Sequence, residues 1–164
     1  MWDALATALS ETNEVQSLDR ENQPRRSAIV FMTDGADNTF YKDAEPSNAT
    51  FADLLEKVRL SSTLVVPIHL DTRDDFGLTQ KLYVGTRRAL NLLAEESGGL
   101  FYEAKKIDDL KGVYEQVIND LSKVYSIGYA PSDVERNTFW RSVKVNIKNH
   151  SNLIVRSRKG YYAH

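Results

Sequence analysis

The chain has 164 residues, 41% of them hydrophobic, which is enough to bury one ordinary core and predicts a single domain with at most an appendage. Twenty-three acids against twenty-one bases leave a formal charge of −2, so no large positive field draws in nucleic acid or anionic lipid. The absence of cysteine excludes disulfides, thiolate metal sites and cysteine nucleophiles, a usage that fits an exported bacterial protein, and no segment approaches the roughly 18 to 20 apolar residues that span a bilayer.

The opening MWDALATALSETNEV gathers acids early and has no basic stretch before an apolar core, so it is not a signal peptide. Trp2, Leu5 and Leu9, with Ala4 and Ala8, recur at helical spacing. Met1 stands directly before this helix with no capping residue, as expected of a piece of something longer. The pattern dies in the polar loop Ser17 to Arg26, punctuated by Pro24. Ser27 to Thr33 is a near-continuous apolar run that predicts a strand covered on both faces, as in a parallel sheet. A loop rich in Asp, Asn, Pro and Ser follows, up to Asn48.

Thr50 to Ser61 places Phe51, Leu54, Leu55 and Val58 on one helical face. Thr63 to Leu70 is a second buried strand, in which Pro67 predicts an edge or a bulge. After the acidic loop DTRDDFG comes a helix from about Thr79 to Glu96 carrying Leu82, Leu90, Leu93 and Ala94, which Gly98-Gly99 should stop in the left-handed conformation. Leu100 to Ala104 is a short third strand. Asp108 or Asp109 can begin a last helix with the stripe Leu110, Val113, Tyr114, Val117, Leu121 and Val124. Residues 1–125 therefore read as an α/β layer with a parallel sheet and flanking helices. Beyond Tyr125 the period changes to two: YSIGYAPS, WRSVKVNIK and NLIVRSRKGYY predict a three-stranded antiparallel tail over 126–164, packed on the α/β unit or extending it.

Asp34 follows the first predicted strand at its carboxyl end, where ligands gather in open parallel sheets. TDGADN after AIVFM resembles the fourth-strand motif of von Willebrand factor A (VWA) domains. The likeness continues in WDAL (2–5), VVPIHL (65–70), LLAEESGGLFYEA (92–104) and DLKGVYEQVINDLSKVYSIGYAPS (109–132). WRSVKV and VRSRKGYYA resemble the tail that follows the A domain in a group of bacterial, notably acidobacterial, proteins. The resemblance implies a partial Rossmann-like VWA-type fold and a protein-interaction or adhesion role in a full-length protein that is secreted or periplasmic.

The family's metal-ion-dependent adhesion site also draws on an Asp-x-Ser-x-Ser motif and a Thr, neither of which has a counterpart here, so only Asp34 is carried over. Asp37 and Asn38 are its polar loop neighbours. Mg²⁺, which the resemblance implies for a complete parent domain, demands near-octahedral oxygen coordination, so a lone carboxylate predicts no tightly bound metal. The family's first strand, also missing, lies beside the strand from Ser27 to Thr33. That edge should then be covered by a second copy, by the missing half in trans, or by the chain's own C-terminal strands, giving homo-oligomers or strand exchange.

Asp71, Asp74 and Asp75 lack the spacing and terminal Glu of a calcium loop and read as a solvated turn. His69, with no second ligand at metal spacing, reads as a satisfied core or strand-end histidine. Arg156, Arg158 and Lys159 with Tyr161 and Tyr162 read as one solvated face of an alternating strand, the alternative being a nucleic-acid surface. No nucleophile and base stand together, so the chain is not read as an enzyme. A metal-independent assembly module acting through the sheet edge is the first alternative, and a hydrolase or phosphotransferase using Asp34 the second.

Overall fold

The computed structural model describes residues 1–18, 26–34, 45–71, 80–131, 139–149 and 152–162. Its elements alternate as the sequence pattern requires: α1 (Trp2–Leu18), β1 (Ala28–Thr33), α2 (Phe51–Leu60), β2 (Leu64–Leu70), α3 (Gln80–Ser97), β3 (Tyr102–Ala104), a 3₁₀ turn (Ile107–Asp109) and α4 (Leu110–Leu121). β1, β2 and β3 form a parallel sheet in that order. A separate antiparallel pair, β4 (Trp140–Ser142) and β5 (Gly160–Tyr162), closes the chain. The protein is thus α/β, with a three-stranded parallel sheet, flanking helices and a C-terminal antiparallel extension.

Both crossovers step in one direction across the sheet, so α2 and α3 fall on the same face, where α1 joins them. Trp2, Leu5 and Leu9 of α1, Leu54 and Val58 of α2, Leu90 and Leu93 of α3 and Val65 of β2 make the larger core. On the opposite face α4 lays Val113 and Val117 over Val66, Ile68, Leu70 and Ala104.

Local chemistry fixes the helix ends. Thr50 caps α2, its Oγ1 accepting from the Asp53 N–H at 3.1 Å while Asp53 Oδ2 accepts from the Thr50 N–H at 3.1 Å, a reciprocal capping box. α3 stops as its sequence predicts: Gly98 adopts φ 80°, and the Gly99 N–H reaches back to the Ala94 carbonyl at 2.8 Å. α1 outruns its apolar pattern because its later polar residues have partners, Asn13 Oδ1 accepting from Ser61 and Gln16 reaching Thr63.

Three expectations are corrected. β1 is covered on one face only: Ile29 and Phe31 pack on the larger core, whereas Val30 and Met32 are 37% and 47% exposed. The reason is topological, since among the described residues β1 pairs with β2 alone and α4 packs against β3 at the far side of the sheet. Pro67 lies in the central strand, without a bulge, in register with Phe31. Alternate residues of a parallel strand bond opposite neighbours; Leu64 donates to Ser27 on the β1 side, so Pro67 faces the other way, at a level β3 has not yet reached. The tail pairs two strands of three residues rather than three longer ones, and 125–131 join no ladder among the described residues.

Leu54 and Leu90 are fully buried, so Leu54→Ala and Leu90→Ala should each lower the unfolding free energy by about 2–5 kcal/mol in urea denaturation. Ile118→Ala, at an exposed position of α4, should stay within about 0.5 kcal/mol.

Candidate functional site at the carboxyl edge of the sheet

The register sets Thr33 beside His69 and His69 beside Glu103, one row across the carboxyl ends of the three strands. Side chains in this row share the face covered by α3, because Val65 and His69 are both odd members of β2 and point the same way. Asp34 follows Thr33, and Asp71 follows β2 with its N–H bonded to the Ala104 carbonyl at 2.8 Å. Three strands therefore deliver four ionisable groups, Asp34, His69, Asp71 and Glu103, to one edge.

α3 closes the row. The Tyr83 ring packs on the His69 imidazole with centroids 5.1 Å apart, and its hydroxyl lies 3.4 Å from both Asp71 Oδ2 and Glu103 Oε1. Arg87 donates to Glu103 Oε2 at 2.6 Å. His69 is 1% exposed, and among the described residues its Nδ1 has no hydrogen-bond partner, since Glu103 Oε1 at 3.9 Å is out of reach. The expected satisfied histidine is thus a strand-end histidine whose Nδ1 is left without a hydrogen bond among the described residues. Burial pushes its imidazole below the usual histidine range, against the opposite pull of Glu103 and Asp71, with Arg87 acting in the same direction as burial. Buried under the Tyr83 ring, this imidazole is a proton acceptor held near a carboxylate.

Asp34 stands exposed at the end of β1. Asp37 and Asn38, its expected neighbours, lie outside the described residues, as do Asp74 and Asp75. Among the described residues no three His, Asp or Glu side chains converge as metal ligands, and the described donors alone do not make the oxygen cage that Mg²⁺ requires.

The bases at the other end of the chain do not share one solvated face. Arg158 Nη2 donates to the Arg59 carbonyl at 2.6 Å, and Lys159 Nζ reaches Glu95 and Glu96 at 3.2 and 3.3 Å. Glu96, buried at the end of α3, also accepts from Arg59 Nε at 2.9 Å, a bond that holds its carboxyl below the usual range despite burial, with help from Lys159. These contacts dock β5 on α2 and α3. Tyr161 meets Tyr129 and Tyr162 meets Trp140 edge-on.

Sequence reading missed the joining of His69 to Glu103, Tyr83 and Arg87. Its one available signal was a polar residue within the last two positions of each predicted strand: Thr33, His69 and Glu103. No helix among the described residues is long and apolar enough to cross a membrane. No family model, no curated protein and no solved structure matches the chain.

Because His69 binds its proton less readily folded than unfolded, the unfolded chain holds more protons just below its ordinary value of 6.5, and stability rises with pH there. The contribution is present above that value and lost as pH falls through the folded one. The urea midpoint should drop on acidification from neutrality, and His69→Phe, which keeps a ring against Tyr83, should flatten that part of the profile.

Proposed function

We propose that the chain is a protein-protein interaction module of VWA type that acts through the outer edge of β1 and needs no tightly bound metal. One observation carries this reading: a six-residue apolar strand that, among the described residues, pairs on one side only and leaves Val30 and Met32 in solvent. Such an edge is a template for another strand, and proteins normally cover or charge it. The VWA likeness of the surrounding motifs supports the protein-binding class and, in a complete parent domain, a Mg²⁺-assisted adhesion site to which Asp34 contributes one corner. The lone carboxylate supports a weak, mostly hydrated metal contact in this chain. The full-length protein is assigned to the secreted or periplasmic space on the same likeness.

The occupant of the edge is a second copy or the missing half of the domain. No nucleic acid and no membrane insertion enter this reading, and the alternative of an Asp34-dependent hydrolase or phosphotransferase has no base assigned to it.

Light scattering on the purified chain should give a dimer or larger species, and Val30→Lys, which charges the edge at an already exposed position, should shift it toward the monomer. A strictly monomeric chain at high concentration would sink the self-association arm, and failure of an added N-terminal half to bind would sink the other. Calorimetric titration with Mg²⁺ should show no micromolar site; one that vanishes in Asp34→Ala would overturn the metal-independent reading. Phosphoester turnover abolished by Asp34→Ala would favour the enzyme.

A further inference from the structure

The last 29 residues hold seven Lys or Arg and no Asp or Glu, although the whole chain is acidic. Within this basic segment the hairpin closes only at its base. β4 and β5 pair over three residues each, and the Val143 N–H donates to the Lys159 carbonyl at 2.8 Å. Beyond that point the arms 144–149 and 152–158 form no ladder among the described residues. The first arm still alternates as a strand does, Val143 and Val145 half-buried against exposed Lys144 and Asn146.

The arms part over the C-terminal turn of α3. The second arm presses on Gly98, where an added Cβ would lie 2.9 Å from the Arg158 backbone nitrogen, so glycine is needed there for the approach as well as for its positive φ. Between the arms and this turn lies a cavity of about 730 Å³, in the size range of ligand sites. Lys144 and Arg156 line it, both exposed and neither in an ion pair among the described residues, whereas Lys159 is held by Glu95 and Glu96.

We propose that this opened hairpin is a peptide clamp that takes up, as an added strand, an extended protein segment alternating apolar and acidic side chains. The backbone of Val143 to Ile147 would supply the ladder, the valines the apolar contacts, and Lys144 and Arg156 the charge that selects an acidic guest. A nucleic acid is the poorer match: the walls mix aliphatic and polar side chains, with Phe101 the one aromatic on the lining, so no row of rings offers successive bases a stacking platform. The clamp is distinct from the β1 edge and stands or falls without it.

The probe is a fluorescently labelled synthetic peptide alternating Val and Glu, titrated by anisotropy against the full chain, with a mixed-sequence single-stranded oligonucleotide in parallel. Sub-millimolar peptide binding is expected, weakened roughly tenfold or more by Lys144→Glu with Arg156→Glu, two exposed positions where circular dichroism should stay unchanged. N-methylation of alternate peptide amides should abolish binding, which attraction between charges alone would not produce. Val30→Lys should leave it intact, so the result is read independently of the β1 edge. No binding, equal binding by the double variant or the methylated peptide, or tighter binding of the oligonucleotide overturns the proposal.

Discussion

The structure depends on satisfying the backbone of β2. Val65, Val66 and Ile68 are at most 1% exposed, so water reaches neither face, and any amide or carbonyl left without a partner would cost about 1–3 kcal/mol. On one side β1 answers the whole strand, from Leu64 bonded to Ser27 up to His69 opposite Thr33. On the other side β3 is only three residues long and starts opposite Ile68. Below it, Ser97 at the end of α3 turns its hydroxyl in to accept from the Val65 N–H at 2.9 Å, and Pro67 has no N–H to satisfy. That arrangement dictates where α3 stops. It also dictates Gly99, since a Cβ there would sit 2.1 Å from the Val65 carbonyl oxygen. The placement of helix, turn and third strand follows from one strand's donors.

The order of elements was legible because each carried its own period and its own stop. Phe51, Leu54, Leu55 and Val58 announce α2 whatever lies around them, and Gly98-Gly99 end α3 by a conformational preference that needs no neighbour. What failed to read was whatever depends on the neighbour. The apolar run at Ala28–Thr33 is the same for a central strand and for an edge, and only the sheet order distinguishes them. Pro67 was misleading for the same reason: proline marks a missing donor, and whether that donor is missed depends on what stands beside it. In the tail, alternation gave the direction of the chain but not whether the arms would meet.

The site was legible in outline only. Asp34 at a strand's carboxyl end is a placement that pattern supplies, and β1 does set it there. The convergence of His69 with Glu103, a separation of 34 in sequence, rests on the register between β2 and β3, which no local pattern fixes. Tyr83 and Arg87 reach the same row because α3 crosses this face at one particular height, so their spacing of four makes sense only once the helix is docked. The charge separation along the chain was present in composition from the start, yet it acquires meaning only where the hairpin opens a cavity beside it.

The sheet's two outer edges are unequal, six residues at β1 against three at β3. Endless stacking of one sheet on the next requires adhesive borders at both ends, each offering the other a long register. Among the described residues the short border gives almost none, so any growth by the proposed edge pairing would have a single direction. A twofold pairing of β1 with its own copy would run antiparallel and use up the long border that the described strands of each partner offer. If β1 pairs as proposed, this asymmetry between the described borders would turn an apolar strand that looks like a liability for fibre formation toward building a closed pair.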